Sequence, residues 1–184
     1  MNLLFDTNIL LFIVRANNYK GIINFLNPDN NPIYISIASE AEIKSIAMQN
    51  NWGTNRINKL DNFLDQVNII EINQLYINTY VEIESFSQKR NNQFLEYGFS
   101  SPRNMGKNDL WIASLAALLS LRLITTDDDF DHLNSIFFEV HKFGSSGILG
   151  EGKEIISFFC VFIKATEHIY FGTGLHIMRY SIVQ

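Results

Sequence analysis

The stretch Leu3-Leu4-Phe5-Asp6-Thr7-Asn8-Ile9-Leu10-Leu11 decides how this chain is interpreted. Apolar residues lead up to Asp6 and resume at Ile9. A buried strand that places one carboxylate at its carboxyl end, and then turns into a helix, has this pattern. Two roles are open to Asp6, because an Asp here can cap the following helix or bind a ligand beyond the strand. Thr7 and Asn8 add a hydroxyl and an amide, which can orient a carboxylate or a metal-bound water, or complete the turn.

Composition places the chain among globular proteins. It has 184 residues, of which 47% are hydrophobic and 18% are charged, so one domain with a sizeable core is expected. The formal net charge of −5 disfavours nucleic-acid binding, which usually needs a basic surface, unless divalent cations offset the carboxylates. The single cysteine, Cys160, excludes an intrachain disulfide and fits a reducing compartment.

The apolar segments predict neither a secretion signal nor a membrane span. Asp6 interrupts the first apolar run, and no basic region precedes that run. Residues 155–163 form the longest uncharged apolar run of the tail, which is much shorter than the roughly 20 residues of a membrane helix. We therefore expect a soluble, cytoplasmic protein that has no membrane partner.

Strand-like and helical segments alternate along the first 143 residues. Strands are predicted where short β-branched or apolar runs are bounded by turn residues, at residues 3–5, 33–37, 68–72, 122–126 and 136–142. Helical crossovers between such strands produce a mainly parallel sheet with helices on both faces, and hence an α/β fold. Ligands bind beyond the carboxyl ends of strands in these sheets, so residues distant in sequence converge there.

Polar residues predict where several helices begin. One helix is expected to begin near Ser39, and Thr54 is expected to cap the next. Asn108 is predicted to cap an apolar helix over residues 109–120. A long amphipathic helix is expected over residues 74–90.

Glu42 is an acidic candidate with a strong structural alternative. Ser39-Glu40-Ala41-Glu42 has the form of a capping box, in which the Glu three residues after the cap bonds back to the backbone. Spacing alone favours that role over metal binding. Glu40 is an acidic competitor on the same turn.

Asp109 lies in the first turn of its predicted helix, where the helix dipole stabilises negative charge. This position suits helix stability and metal binding equally well. Arg103 and Lys107 precede it, and these cations can bind phosphate or remain solvated charges of a loop.

The segment Thr125-Thr126-Asp127-Asp128-Asp129-Phe130-Asp131 concentrates carboxylates at a predicted strand end. Adjacent carboxylates repel each other and are tolerated at a surface turn or around a cation. The segment lacks the Gly and the final Glu of a calcium-binding EF-hand loop. A carboxylate set without His or Cys ligands indicates Mg²⁺ or Mn²⁺, with Asp127 as the first choice of ligand and Asp129 as the second.

Four segments together resemble the PIN-domain family, and more narrowly the VapC-type toxins of bacterial toxin–antitoxin pairs. The segments are Leu4-Phe5-Asp6-Thr7-Asn8-Ile9-Leu10, Ile35-Ser36-Ile37 leading to Glu42-Ile43, Asn108-Asp109-Leu110-Trp111-Ile112-Ala113, and Leu123-Ile124-Thr125-Thr126-Asp127-Asp128-Asp129-Phe130. Their order, their spacing and their placement at strand–helix junctions are specific in combination. The match covers residues 2–143.

The resemblance implies a three-layer α/β sandwich and a metal-dependent ribonuclease that cuts single-stranded RNA segments. Such proteins are often dimeric and are commonly inhibited by a bound antitoxin. The residues that match the family's acidic quartet, expected to be catalytic and metal-binding, are Asp6, Glu42, Asp109 and Asp127. The resemblance favours Glu42 over Glu40 and matches Thr125 to a hydroxyl beside the pocket, but it does not separate Asp127 from Asp129.

We therefore predict a Mg²⁺- or Mn²⁺-dependent endoribonuclease, the toxin of a type II toxin–antitoxin pair, that acts on tRNA, rRNA or mRNA. A cognate antitoxin and a homodimer are the expected partners. A non-catalytic RNA- or protein-binding module of the same fold is the alternative. A phosphatase of the haloacid dehalogenase type is less favoured, because its second carboxylate would replace Asn8. Residues 1–143 are the predicted nuclease domain, and residues 144–184 a β-prone extension of unknown role.

Overall fold

A sheet of five parallel strands forms the centre of the part of the chain that the structure describes, residues 1–94 and 98–143. The strands are β1 (Leu3–Phe5), β2 (Ile33–Ser36), β3 (Asn68–Ile70), β4 (Arg122–Thr125) and β5 (Val140–Lys142). Their order is β3-β2-β1-β4-β5, and every neighbouring pair is parallel. This computed structural model confirms the predicted α/β fold.

Helices cover both faces of the sheet. They are α1 (Thr7–Arg15), α2 (Tyr19–Leu26), α3 (Ile37–Gln49), α4 (Thr54–Leu64), α5 (Ile77–Ser87) and α6 (Lys107–Leu118) within the described residues. Phe5 stacks on Phe63 of α4, with ring centroids 6.4 Å apart. Leu4 instead belongs to a core cluster with Ile83 of α5 and Ile112 of α6. Because successive strand residues face opposite sides of a sheet, α4 lies on one face and α5 and α6 on the other.

The strand register aligns three chain segments at one edge of the sheet. Phe5, the last residue of β1, is paired with Ile35 of β2 and with Ile124 of β4. Asp6 continues this alignment, because its backbone N–H donates to the Ile124 carbonyl at 3.1 Å. The residues that follow these strands therefore emerge side by side, as a parallel sheet requires.

The first turn of α3 overturns the capping box predicted for Glu42. Ser36 is the N-cap residue, and its hydroxyl accepts a hydrogen bond from the Ala38 N–H at 3.1 Å. Ile37, predicted as the last residue of a strand, is already helical. Ser39 lies inside the first turn, where its buried hydroxyl has no partner among the described residues. Glu42 is therefore one turn beyond the capping position.

Two helices have a glycine at the N-cap position instead of the polar residue predicted to cap them. Gly53 precedes α4, and Thr54 is the first residue of that helix instead of its cap. Gly106 precedes α6, so Asn108 lies within the first turn. Neither helix has a side-chain capping bond within the described part of the chain.

Several predicted elements are shorter than expected, two of them markedly. The helix predicted over residues 74–90 divides into a 3₁₀ turn, Gln74–Tyr76, and α5. The last strand covers only β5, because the backbone N–H groups of Ile136 and Phe137 both donate to the Leu133 carbonyl, at 3.2 and 3.1 Å. These bonds close a turn where the sequence predicted extended chain.

The predicted extension, residues 144–184, lies outside the described residues, and its boundary at residue 143 stays a prediction. Among residues 1–94 and 98–143, none of the helices combines the length and the apolar character of a membrane span.

Candidate functional site

Asp6 caps α1 and is also held from a neighbouring strand. One carboxylate oxygen accepts a hydrogen bond from the Thr7 backbone N–H at 2.6 Å. The other accepts from the Thr125 hydroxyl, at the end of β4, at 2.8 Å. The residue is only 3% exposed. Each oxygen accepts one hydrogen bond and keeps a second lone pair, so capping the helix does not exclude binding a ligand.

The surroundings of Asp6 raise its pKa from 3.8 to about 7. Burial is the main cause, because it disfavours the charged form. The hydrogen bonds from Thr125 and Thr7 favour that form, but the negative charges of Asp109 and Asp127 oppose it further. Asp109 and Asp127, from two other chain segments, are therefore close enough to Asp6 to repel its negative charge.

Glu42 extends from α3 toward Asp6's neighbour Thr7. One Glu42 oxygen accepts the Thr7 hydroxyl at 2.9 Å and, at 3.4 Å, the side-chain amide of Asn108 in α6. Glu40 pairs with Lys44 at 2.5 Å. The two acids of this turn are therefore distinguished by their contacts, and Glu42 is the one that faces the other acidic residues.

Asp109 lies in the first turn of α6 and is partly buried. Burial, and then the charges of Asp127, Asp129 and Glu42, raise its pKa to about 6, while a backbone hydrogen bond from Gly106 opposes the shift. Gly106 leaves room for this carboxylate, because a Cβ atom there would lie 2.7 Å from an Asp109 oxygen. Asp109 therefore interacts with the acidic residues of the other three chain segments. Its position depends on the space that Gly106 leaves.

The acidic segment after β4 divides into two pairs of carboxylates. The Asp127 N–H donates to the Thr125 hydroxyl at 3.0 Å, and an Asp127 oxygen accepts the Asp129 N–H at 2.9 Å. Burial and the Asp127 charge raise the pKa of Asp129. Lys142 forms salt bridges with Asp128 and Asp131 instead. Asp127 and Asp129 are thus the members of the segment that face the site.

Arg103 and Lys107, the predicted phosphate contacts, are exposed. The Arg103 backbone N–H donates to the Ser87 carbonyl at 2.8 Å, and its side-chain charge opposes the rise in the pKa of Asp129. Lys107 is the first residue of α6, two positions before Asp109. Both cations are therefore close to Asp109 in the sequence. Neither forms a salt bridge with an acidic residue in the described part of the chain.

The donor chemistry of the site fits a hard divalent cation. Its carboxylates, Asp6, Glu42, Asp109, Asp127 and Asp129, form no salt bridge with a Lys or Arg among the described residues. Oxygen donors of this kind suit Mg²⁺ and Mn²⁺. Within residues 1–94 and 98–143, however, no three His, Cys, Asp or Glu side chains are arranged so that they could hold a metal ion. The donor types therefore suit such a cation, although the described side chains are not grouped closely enough to form a metal site.

Asn108 is a polar contact that the sequence did not assign to the site. Its position before Asp109 predicted a helix cap, whereas its amide donates to Glu42 across 66 residues of chain. Gly106 occupies the N-cap position of α6, so Asn108 lies inside the first turn and does not cap the helix. The contact itself depends on the crossing of α3 and α6, which local spacing does not reveal.

Comparison with known proteins gives one family and a set of similar folds. The family model for the PIN domain matches residues 3–135. VapBC2 from Rickettsia felis, solved with a DNA fragment from its promoter, is 24% identical with a TM-score of 0.59, covering 77% of this chain and 98% of that one. VapBC-1 from nontypeable Haemophilus influenzae is 22% identical with a TM-score of 0.58, covering 77% and 98%. FitAcB from Neisseria gonorrhoeae is 19% identical with a TM-score of 0.54, covering 77% and 97%. No curated protein sequence matches the chain.

Proposed function

The chain belongs to the PIN-domain family, and from this membership we propose that it is a Mg²⁺- or Mn²⁺-dependent endoribonuclease that cuts single-stranded RNA segments. PIN domains of the VapC type are generally nucleases, and the family generally uses a divalent metal. The observation that supports the proposal best is the group of carboxylates around the buried Asp6, which comes from four chain segments and has no salt-bridge partner among the described residues.

In this proposal Asp6, Glu42 and Asp109 hold the metal, directly or through water. Asp127 is the first choice for the residue that completes the pocket, and Asp129 is the second. A metal held there would supply an activated water and would stabilise the leaving 3′ oxygen. The chain positions the ligands. Thr125 fixes Asp6 and Asp127 through one hydroxyl, and Thr7 fixes Asp6 through its N–H and Glu42 through its hydroxyl. Asn8, half-buried beside Thr7, is a further orienting group in the proposal.

The substrate is RNA, as tRNA, rRNA or mRNA, and Arg103 and Lys107 are the proposed phosphate contacts. Both side chains are exposed and carry the charge that phosphate requires. Their contribution is positional, because phosphate contacts orient a strand without reading its sequence.

We also propose that the protein is the toxin of a type II toxin–antitoxin pair in the cytoplasm, with a cognate antitoxin and a second copy of itself as partners. The resemblance of its four motifs to VapC-type toxins supports this assignment. The similar solved structures are VapBC and FitAcB assemblies, with which the chain shares its fold.

A cleavage assay on a panel of tRNA and rRNA tests the proposed activity. We expect cleavage with Mg²⁺ or Mn²⁺ that a chelator abolishes, and a loss of at least about 100-fold in rate for Asp6→Asn or Asp109→Asn. Glu42→Gln and Glu40→Gln form a matched pair on one helical turn, and only Glu42→Gln should reduce the rate. Wild-type rates in Asp6→Asn and Asp109→Asn would overturn the assignment.

The alternative is a non-catalytic RNA- or protein-binding module. One observation favours it, namely that no three described acidic, His or Cys side chains are arranged to hold a metal ion. This alternative predicts binding of RNA that is unaffected by a chelator, together with no cleavage of any RNA in the panel at any metal concentration.

A further inference from the structure

A basic cavity of about 740 Å³ lies away from the acidic site, where the last turn of α1 meets the loop between α3 and α4. Its volume is within the range of sites that bind small ligands. Polar and cationic side chains dominate the described lining, which includes Arg15, Asn51, Trp52, Asn55, Arg56 and Lys59. None of the acidic residues of the candidate active site belongs to it.

The charge of this cavity is opposite to that of the chain. Its described lining contains three cations and no carboxylate, although the formal net charge of the protein is −5. Arg15 is partly buried, and both its burial and the nearby charge of Arg56 lower its pKa. Bringing guanidinium groups together costs free energy, which a bound anion offsets.

Two further features of the cavity suit a nucleotide anion. The Arg56 guanidinium lies over the Trp52 ring, 5.0 Å from the ring centroid, so a cation and an aromatic surface occur together. The N-terminus of α4 opens on the same cavity without a side-chain cap, and Gly53 has open space beside its backbone. The unpaired N–H groups and the dipole of a helix N-terminus favour negative charge.

We propose that this cavity binds a backbone phosphate of single-stranded RNA, with Arg56 as the principal contact and Trp52 beside a neighbouring base. This site is separate from the proposed active site and would be a second contact with the RNA strand. Asp6 precedes α1 and Arg15 lies in its last turn, about 13 Å further along the helix axis. The choice of RNA rests on the proposed function. The preference for phosphate rests on the cations, the helix N-terminus and the cavity.

Two cations of the cavity also have a structural role. The Lys59 ammonium donates to the Ala16 carbonyl at 2.8 Å, and Arg15 lies in the last turn of α1, so both offset the negative end of that helix. Arg56 is exposed and its described contact is with Trp52. Arg56 is therefore the residue whose replacement tests binding without disturbing α1.

The amide-rich lining favours RNA over an acidic protein segment. Asn side chains form hydrogen bonds with nucleobases, and Trp rings stack on them. Protein partners are usually anchored instead by apolar residues in a desolvated pocket. The described lining offers one aliphatic side chain, Val14, beside its Asn, Arg and Lys residues. An acidic peptide is kept as one arm of the test.

Binding of labelled single-stranded RNA to the full chain, measured by fluorescence anisotropy in a chelator over a range of salt concentrations, tests the site without cleavage. We expect Arg56→Gln to raise the Kd about three- to tenfold and to reduce the slope of log K against log salt by about 0.7, as the loss of one phosphate contact predicts. Arg56→Lys should retain the slope. Lys20→Gln, which removes one exposed charge of α2 outside the cavity, is the matched control and should change neither quantity.

Competition with inorganic phosphate and with poly-glutamate separates the sources of the anion. The proposal is overturned if Arg56→Gln behaves like Lys20→Gln. It is also overturned if phosphate or poly-glutamate binds in an Arg56-dependent manner while RNA does not. The binding assay contains no metal, so it does not depend on the proposed active site. Arg56-dependent binding of RNA, found together with wild-type cleavage by Asp109→Asn in the separate assay with metal, would refute the active site and not the phosphate site. Thermal unfolding of each variant confirms that it is folded.

Discussion

Asp6 is a carboxylate that the protein buries at a cost. Hydrogen bonds from Thr7 and Thr125 stabilise its charged form, but burial and the neighbouring acidic charges outweigh them and raise its pKa to about 7. A carboxylate that served only as a helix cap could remain exposed and avoid this penalty. The unfavourable burial is consistent with a role that becomes favourable when a cation is present.

The raised pKa predicts how the stability of the metal-free protein depends on pH. Below the ordinary pKa of 3.8, Asp6 is protonated in both the folded and the unfolded state and contributes nothing. Between 3.8 and about 7 the unfolded chain loses its proton first, so the free energy of unfolding falls as the pH rises. We expect Asp6→Asn to be more stable than wild type by about 2–4 kcal/mol near pH 8, and about equal to it near pH 4.

Denaturant unfolding in a chelator at both pH values measures this difference. The exposed Asp29→Asn is the control for the loss of one charge, and it should have little effect at either pH. An Asp6→Asn gain of the same size at both pH values would contradict the burial argument, because the effect of ionisation must disappear in acid.

The start of α3 shows why a local sequence motif can mislead. Ser39 and Glu42 have the spacing of a capping box, but Ser36 caps the helix three residues earlier. We expect Ser36→Ala to lower the free energy of unfolding by about 1 kcal/mol, as the loss of an N-cap does. Ser39→Ala should cost little or be stabilising, because the buried Ser39 hydroxyl has no partner among the described residues. Denaturant unfolding of both variants decides, and the reverse order would restore Ser39 as the cap.

Gly106 couples the start of α6 to the position of Asp109. A Cβ at Gly106 would lie 2.7 Å from an Asp109 oxygen, so we expect Gly106→Ala to displace that carboxylate and weaken Mn²⁺ binding by about 10- to 100-fold. Gly53→Ala is a matched control, because Gly53 also occupies an N-cap position but has no heavy atom within 4 Å of the added carbon. Both variants share the small cost of Ala at a cap. Calorimetric titration measures the affinity for Mn²⁺. If it falls equally in both variants, Gly106 does not position Asp109.

The sequence predicted the parallel sheet and its acidic edge because both depend on local patterns. Short apolar runs precede Asp6 and Thr125 in the sequence. In the structure these runs are the paired strands β1 and β4, and the two residues meet where the strands end. The bonds from Thr7 and from Asn108 to Glu42 were not predictable in this way, since they span 35 and 66 residues. They depend on how α1, α3 and α6 pack, which periodicity does not encode.

Within the described residues, α1 connects a group of carboxylates at its start with a group of cations at its end. Carboxylates gather around Asp6, before its first turn, while Arg15 and the other cations of the basic cavity gather at its last turn. The formal charge of −5 therefore understates the capacity to bind a polyanion, because it averages over regions of opposite sign. Under the proposed function, a divalent cation in the acidic site removes the repulsion there, and the cavity adds attraction at a distance.

Metal binding should accordingly stabilise the whole protein, and more strongly as the pH rises. The pKa values of Asp6 and Asp109, about 7 and about 6, mean that both carboxylates hold protons in mild acid and must release them to bind Mn²⁺. We expect saturating Mn²⁺ to raise the free energy of unfolding by about 3 kcal/mol near pH 8, as a ligand at about 100 times its Kd does, and by much less near pH 5. Thermal unfolding with and without a chelator measures the shift in Tm at each pH. Asp6→Asn provides the comparison, because its metal-free form is already relieved of the buried charge and should gain little from Mn²⁺. A Tm shift that is equal in wild type and Asp6→Asn, or equal at both pH values, would place any bound metal elsewhere in the molecule.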